Sequence, residues 1–551
     1  MIELKNVLKK SWPDYLPNHL VYRQGQKPLH EYLIQNAKEY PHDIAYIYYG
    51  KSITWKQLND DSNRLAHFFK KKGIKKGDRI ALFMQNCPQY LIGHYAIQKL
   101  GAIVVPLNPM YKEAELEYLI NEAAVQALIA GQELYARIQK IKEKIPSLYF
   151  VITTNYADYL PCEIEPTFPI PDELKLTKQK INGTYDLMEI LAANPPLEET
   201  AEINLWDDVG LYVFTSGTTG RPKAAMLTYG NALFKTASNV QTKQFSENTI
   251  TAVFSPFCHI AGMLLGVNMP IYSRSKTILF TRFDPEAAIM AVEKYKINFW
   301  VTVAIMNHPG VENRDLSSLK TNFATSFGTI VDEKLAEDWS QLTNGCVLTE
   351  SSFGLSETHT ADTFMPLNKI KYGTCGIATY ETQIRIIDPE TGKDLPVGKQ
   401  GEIVIKNPGV FKGYLNRPEA TKETLRNGWV YTGDIGMIDE DGYLHFYGRV
   451  KEMIKCSGFS VFPEDVEEIM KNHEAVLQVA VIGVPDAKRG ESVKAFVVLK
   501  PEYEGKITEL ELMEWAKEQM AEFKYPRAIE FRKSLPSASS GKILRRLLKE
   551  D

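Results

Sequence analysis

A chain of 551 residues exceeds what one hydrophobic core can use, so several subdomains are expected. With 44% hydrophobic and 24% charged residues it has the composition of an ordinary globular enzyme, and its formal net charge of -4 leaves no electrostatic footprint for nucleic acid. Six cysteines without any C-x-x-C pair argue against a zinc site or a disulfide framework. No apolar run approaches the roughly 20 residues that span a bilayer, and MIELKNVLKK has no signal-type core, so the expected location is cytoplasmic.

Residues 1–28 are a polar and aromatic lead-in carrying Lys5, Lys9, Lys10, Trp12 and Tyr15. One short basic patch provides little anchoring, so this lead-in reads as a strap on the main domain, with weak peripheral membrane contact as the alternative. Two helical patterns then flank AYIYYGKSITW, where Gly50-Lys51 marks a hairpin turn. RIALFMQN, QYLIGHYAIQKLG, AIVVPLNP, ELEYLINEA and VQALIAG alternate strand with helix, which predicts a mainly parallel sheet. Residues 153–205, rich in Pro, Glu, Asn and Thr, read as irregular surface. A second α/β unit follows, with TAVFSPF, GVNMPIY, KTILF and INFWVTV as its alternating apolar runs and DPEAAIMAVEKY as a helix. From about Lys371 short strands and Gly/Pro/Asp turns indicate an antiparallel sheet or barrel. After Arg449 a smaller α+β unit closes the chain, and Arg545, Arg546 and Lys549 at its basic end read as a solvated face.

The second unit begins with YVFTSGTTGRPKAAMLT, residues 212–228. Directly after a buried-type strand come Thr215, Ser216, Gly217, Thr218, Thr219, Gly220 and Lys223, the composition of an anion cradle. Glycine lets backbone N–H groups turn toward a phosphate, hydroxyls add donors, and the lysine adds positive charge. It is not a Walker loop, and the near matches at Gly50-Lys51-Ser52 and Gly541-Lys542 also fail that spacing.

Further motifs follow in order: PFCHIAG with His259, SFGTI with Phe327 and Gly328, FGLSET at 353–358, YTGD with Asp434, RVKEMIKCSGFS at 449–460, and PSASSGK ending at Lys542. Together with the phosphate loop they resemble the adenylate-forming superfamily over nearly the whole chain, and most closely its AMP-forming medium- and long-chain fatty acyl-CoA synthetases. The resemblance implies an α/β fold: a large domain, 1–449, made of two parallel-type α/β subdomains and a small β-barrel-like one, and a mobile α+β domain, 450–551, hinged near Lys451. It implies that Phe353 with Gly354 stacks on adenine, Ser356 meets the α-phosphate, Glu357 holds Mg2+, and Asp434 with Arg449 binds the ribose. His259 lies near the acyl carboxylate, and Lys542 bridges the acid and the α-phosphate during adenylation. Lys455, Ser457 and Gly458 serve the thioester step, where Ser457 replaces a lysine of some relatives. Apolar walls for the acid come from Met263, Leu264, Val303, Ala304, Phe327 and Phe353. Phe327 departs from the family's glycine beside the adenine. A buried apolar pocket without a pairing carboxylate favours an acid with an apolar tail, since an unpaired ammonium is costly to bury.

The function so implied is activation of a carboxylic acid by ATP and transfer to CoA, with Mg2+ as cofactor. An aryl-CoA ligase, an acyl-AMP ligase for a carrier protein and a non-catalytic nucleotide binder remain as alternatives, and a homodimer is left open.

Overall fold

Strands that read as continuous apolar runs are suited to a sheet covered on both faces, and the computed structural model of the chain contains two such sheets. It describes all residues except 1–6, 8–9, 165–166, 198, 216–221, 325–330, 450–451, 457–458, 462, 487–488, 521, 538–542 and 550–551. One seven-stranded sheet runs in the order Tyr185–Asp186, Phe150–Thr154, Ala127–Gly131, Arg79–Phe83, Ile103–Leu107, Val209–Thr215, Lys223–Thr228. All its pairs are parallel except the last. The other runs Val347–Glu350, Thr321–Ala324, Phe299–Trp300, Ile250–Val253, Lys276–Leu279, Ile44–Tyr48, Lys51–Thr54, again parallel except for the last pair. The hairpin around Gly50 therefore belongs to the sheet built mainly from the later half of the chain.

Helix Pro88–Lys99 is buried at every residue, as a helix without a polar face must be. Its Tyr90 and Tyr95 hydroxyls donate to the carbonyls of Phe257 and Val267, 3.2 and 2.9 Å away, and so tie the first unit to the second. The antiparallel expectation after Lys371 holds: Gln383–Ile387, Gly401–Lys406, Trp429–Ile438 and Leu425–Arg426 form a sheet in that order, with Leu444–Arg449 also paired to Trp429–Ile438. The carboxyl-terminal unit has its own five-stranded sheet and its own cores, one around Val466, Val481 and Leu512 and another around Phe496 and Leu548. The described part of the lead-in is a strap: Lys10 pairs with Asp441 at 2.8 Å, and Trp12 meets the Tyr380 ring edge-on at 4.8 Å.

Four sequence expectations are corrected. The run 212–228 does not open the second α/β unit: Val209–Thr215 pairs in parallel with Ile103–Leu107, and with Lys223–Thr228 it completes the first unit's sheet. GVNMPIY is helical, with a π-helical turn at Leu264–Asn268 followed by helix Met269–Ser273. A short apolar run cannot distinguish the two states by periodicity, and here Ile260–Met263, Leu264–Asn268 and Met269–Ser273 run on without a break, so Pro270 removes a helical donor, while the Gly266 carbonyl one turn back accepts from the Tyr46 hydroxyl at 3.1 Å. Of INFWVTV only Phe299–Trp300 pairs as strand. Within 153–205, Asp186 caps a helix at Leu187–Ala193, so the segment is not wholly irregular.

Candidate active site

In open parallel sheets ligands gather beyond the carboxyl ends of the strands. Here those ends carry the predicted motifs: Thr215 closes one strand, His259 follows Ile250–Val253, residues 325–330 follow Thr321–Ala324, and Phe353–Glu357 follow Val347–Glu350. Thr215 and Lys223 are partners in the antiparallel pair that bounds the phosphate loop, and the Thr215 hydroxyl lies 3.4 Å from the Lys223 carbonyl. The Tyr118 hydroxyl donates to the Pro222 carbonyl at 3.0 Å, which fixes the loop's second leg.

Residues 412–415 lie along the outer side of strand Lys223–Thr228, through Met226 N–H to the Gly413 carbonyl at 3.0 Å and Leu415 N–H to the Ala224 carbonyl at 2.9 Å. That pairing sets Tyr414 between two predicted residues. Lys223 Nζ sits 4.3 Å from the centre of the Tyr414 ring, and the Tyr414 hydroxyl donates to Glu357 Oε1 at 2.5 Å. Burial, reinforced by the carboxylate, holds the phenol above its ordinary range, so it remains a donor. Sequence reasoning missed Tyr414 because no motif contains it; its only signal lies in the pairing of two distant segments.

Glu357 is buried in the middle of a short 3-10 turn, Ser356–Thr358. After it the backbone turns left-handed at three successive residues, His359, Thr360 and Ala361, with φ of 58, 58 and 49°, a conformation that disfavours ordinary side chains. A fully buried ion pair stands beside this run. Lys235 Nζ lies 2.5 Å from Asp362 Oδ1 and 3.3 Å from the Ala361 carbonyl, and Asn407 donates to the same carboxylate at 2.7 Å. Burial pushes the Asp362 carboxyl up and the Lys235 ammonium down, while their mutual attraction opposes both shifts. Asp362→Ala should therefore lower unfolding free energy by about 3–5 kcal/mol, because Lys235 would be left as an unpaired buried charge. A Lys235→Met, Asp362→Leu double variant should regain most of that loss. Denaturant unfolding of the three proteins checks this, and equal loss in single and double variants would contradict it.

Phe353 is buried, its N–H donating to the Thr363 hydroxyl at 2.7 Å, and its ring lies against Phe446 with centroids 5.7 Å apart. At Gly354 a Cβ would come within 2.3 Å of the Ala361 amide nitrogen, so only glycine fits between the aromatic and the left-handed turn. Ser356 is partly exposed. Asp434 and Arg449 face each other across an antiparallel pair, with Arg449 Nε 3.0 Å from Asp434 Oδ1.

His259 is exposed and caps helix Ile260–Met263, its Nδ1 accepting from the Ala261 N–H at 3.3 Å, which places the proton of the neutral ring on Nε2. One turn later Met263 is buried, and the π-helical turn begins at Leu264. Such turns recur at functional sites. The carbonyls of Gly266 and Val267 accept from Tyr46 and Tyr95 at 3.1 and 2.9 Å. Val303 is partly exposed, precedes the 3-10 turn Ala304–Asn307, and packs at the edge of the main core.

In the carboxyl-terminal unit Lys455 lies on strand Ile454–Cys456. The reading of Arg545 as solvated is overturned: its side chain is 13% exposed and held by three carboxylates. It reaches Glu452, Glu464 at 2.5 Å, and Glu467 at 3.0 and 2.8 Å. Helix Pro463–Lys471 supplies two of the partners, Glu464 and Glu467, and Glu452 before it supplies the third. Burial, with Glu467 and Glu452 adding to it and Arg545 opposing, pushes the Glu464 carboxyl up to about 7. A raised folded-state value favours the protonated form, so its stability contribution is full below the unfolded value of 4.5 and is lost as pH rises through 7. Glu464→Gln, which mimics the protonated group, should gain in Tm relative to the unaltered chain as pH rises from 5 to 8. A Tm difference that stays flat or narrows over this range would refute the assignment.

Ser216, Gly217, Thr218, Thr219, Gly220, Phe327, Gly328, Lys451, Ser457, Gly458 and Lys542 lie outside the described residues, as does the side chain of Lys455. Among the described residues no three His, Cys, Asp or Glu side chains cluster as a metal cage. The donor set fits a cation that takes one carboxylate and completes its shell with substrate phosphates: Glu357 Oε1 is engaged by Tyr414, and no hydrogen bond to Oε2 is present among the described residues. No helix among the described residues is long and apolar enough to cross a membrane.

The two parallel sheets, the glutamate linked through Tyr414 to Lys223 and the paired Asp434–Arg449 suit an adenylate-forming enzyme. Residues 33–415 match the AMP-binding enzyme family and residues 465–542 the AMP-binding enzyme C-terminal domain. The chain belongs to the AMP-binding enzyme family. It is 34% identical to a long-chain-fatty-acid–CoA ligase of Bacillus subtilis over 98% of both chains, and 32% identical to a feruloyl-CoA synthase of Amycolatopsis over 93% of this chain and 96% of that one. Among solved structures it is similar to ATP-bound MatB from Rhodopseudomonas palustris, with 27% identity, a TM-score of 0.82, and coverage of 95% of this chain and 98% of that one.

Proposed function

We propose that the chain is an ATP-dependent fatty acid–CoA ligase working through an acyl-AMP intermediate. The observation that carries this is the contact chain Lys223–Tyr414–Glu357, which draws a cation, a phenol and a carboxylate to the base of the phosphate loop. Similarity to the Bacillus long-chain ligase supports the aliphatic acid. In the first half-reaction a carboxylate oxygen of the acid attacks the α-phosphorus, the bond to the β-phosphate breaks, and pyrophosphate leaves. Two anions must meet, so the protein's task is alignment and charge neutralisation. Lys223 and the loop would hold the phosphates, Lys542 would neutralise the meeting oxygens, Phe353 would face the adenine, and Asp434 with Arg449 would hold the ribose. Mg2+ on Glu357 would add positive charge at the phosphates. In the second half-reaction the CoA sulfur attacks the acyl carbon and AMP leaves, and a thiol of ordinary pKa near 8.5 needs only modest activation for an anhydride. The domain 450–551 would swing about Lys451 between the steps, withdrawing Lys542 and presenting 455–460.

Similarity to a feruloyl-CoA synthase favours a second reading, an aryl-CoA ligase. Pyrophosphate release with ATP and Mg2+ across saturated acids of increasing length, benzoate and cinnamates, each with and without CoA, decides between them. Release with aliphatic acids together with acyl-CoA formation is expected. Preference for the aromatic acids would transfer the case to the second reading, and no release with any acid would refute both.

A further inference from the structure

The outer edge of strand Lys223–Thr228 is covered rung by rung. The Lys412 N–H donates to the Met226 carbonyl at 2.9 Å, the Met226 N–H to the Gly413 carbonyl at 3.0 Å, and the Leu415 N–H to the Ala224 carbonyl at 2.9 Å. Backbone groups on one edge of a strand recur at every second residue, so the next acceptor in line is the Pro222 carbonyl, directly before the strand and at the foot of the phosphate loop. The neighbouring backbone does not fill this rung. The Arg417 N–H turns back to the Tyr414 carbonyl at 3.3 Å, and the chain enters helix Pro418–Thr424. The Tyr118 hydroxyl fills it instead, at 3.0 Å.

Arg417 holds the phenol in that place. Tyr118 and Glu122 stand one turn apart on helix Glu113–Glu122 and so share a face. Arg417 Nη2 reaches both, 3.3 Å from the Tyr118 oxygen and 3.2 Å from Glu122 Oε2. A guanidinium only donates, so the phenol oxygen accepts from it and the single hydroxyl hydrogen is left for Pro222. The arginine is itself held: its Nη1 donates to the Asn416 carbonyl at 3.2 Å, and its own carbonyl accepts from the Thr421 N–H and hydroxyl at 3.0 and 2.8 Å. Stability does not account for this cluster. The Arg417 side chain is 40% exposed, and an ion pair so open contributes little. Glu122 Oε1 is buried with no hydrogen-bond partner among the described residues, which is a cost rather than a gain.

The Pro222 carbonyl and the Lys223 N–H belong to one planar trans peptide and point in opposite directions. Fixing the carbonyl outward on Tyr118 therefore turns the N–H inward, to the side of Thr215, the strand partner of Lys223. We propose that Arg417 is a positioning residue for ATP: acting through Tyr118, it fixes the peptide that enters Lys223 and so presets the phosphate loop for the two phosphates that leave as pyrophosphate. The inference rests on the acyl-CoA ligase reading above. It also separates the substrates. The acid and the acyl-AMP intermediate carry neither of these phosphates, so their binding and reaction should not depend on Arg417.

The test uses the full chain with ATP, Mg2+ and CoA. Arg417→Met keeps the stem and removes the donor, and Tyr118→Phe removes the hydroxyl alone. Arg417→Lys restores a donor, which suffices because both bonds come from the one nitrogen Nη2. In Arg417→Met and Tyr118→Phe the KM for ATP should rise about 5–10-fold, the span of one ordinary hydrogen bond, with kcat changed by less than about 2-fold. The KM for the acid and the single-turnover rate of thioester formation from supplied acyl-AMP should both stay near those of the unaltered chain. Arg417→Lys should recover most of the affinity for ATP. The Arg417→Met, Tyr118→Phe double variant should lose no more than either single one, because the two side chains act in series. An unchanged KM for ATP in both single variants would overturn the proposal, as would additive losses in the double variant. Equal losses in the thioester step would overturn it too, since they would mark a general loosening of the fold. Equilibrium titration with ATP in the absence of acid distinguishes the two levels of the argument. ATP binding that depends on Arg417 in a chain that activates no acid refutes the ligase reading alone; ATP binding indifferent to Arg417 in a chain that does activate acids refutes this inference alone.

Discussion

Replacing Lys542 with alanine is expected to lower acyl-AMP formation by about 10²–10³-fold, the range found when one preorganised charge-stabilising donor is removed, while thioester formation from supplied acyl-AMP stays near that of the unaltered chain. The expectation comes from chemistry that differs between the two steps. Adenylation brings a carboxylate onto a phosphate and needs a cation between them, whereas thiol attack on the anhydride starts without that clash. The described residues on either side of 538–542 are held by several contacts. Ser537 and Ile543 form an antiparallel bridge, the Leu544 N–H donates to the Pro536 carbonyl at 2.8 Å, and Arg545 is clamped by Glu452, Glu464 and Glu467. Pyrophosphate exchange and single-turnover thioester formation measure the two steps separately. Equal losses in both would show that Lys542 acts on folding or on a shared step.

The second large effect is expected at Glu357 and its neighbour. Glu357→Gln keeps the size of the side chain and removes its charge, so adenylation should fall by about 10²-fold or more and need more Mg2+ to reach half-saturation. Tyr414→Phe removes only the hydroxyl that donates to Glu357 Oε1. It should act through the orientation of the carboxylate, with a smaller fall in rate, roughly 10-fold, and a shift of Mg2+ dependence in the same direction. Lys223 would keep the ring beneath its ammonium in this variant. Initial rates of pyrophosphate release across a Mg2+ titration distinguish the cases. A Tyr414→Phe enzyme with lowered rate but unaltered Mg2+ dependence would assign the tyrosine to packing alone.

Local sequence was sufficient wherever chemistry and backbone demands fall on adjacent residues. The Thr/Ser/Gly/Lys run after an apolar strand reads as an anion cradle from local sequence alone, because glycine torsions, hydroxyl donors and a lysine are all local properties. The parallel sheets were legible in apolar strands alternating with helices, and the antiparallel sheet in the turn residues after Lys371. Tertiary structure decided what depends on contacts far apart in the chain. The hairpin Ile44–Thr54 joined the later sheet through Tyr46–Thr277 and its neighbours, a parallel pairing more than 200 residues away in sequence that no turn signal encodes. Tyr414 reached Lys223 and Glu357 only because 412–415 lie along the strand after the phosphate loop. Arg545, part of what looks like an ordinary basic tail, found its three glutamates on other elements. The run GVNMPIY became helical because apolar content alone does not choose between strand and helix, whereas the tyrosines of two other elements could accept the burden of its π-turn carbonyls. Sequence thus determined which residues can bind phosphate and carry charge, since those are properties of the side chains themselves. Folding determined which of them share a site, because burial and hydrogen-bond partners exist only once distant strands have paired.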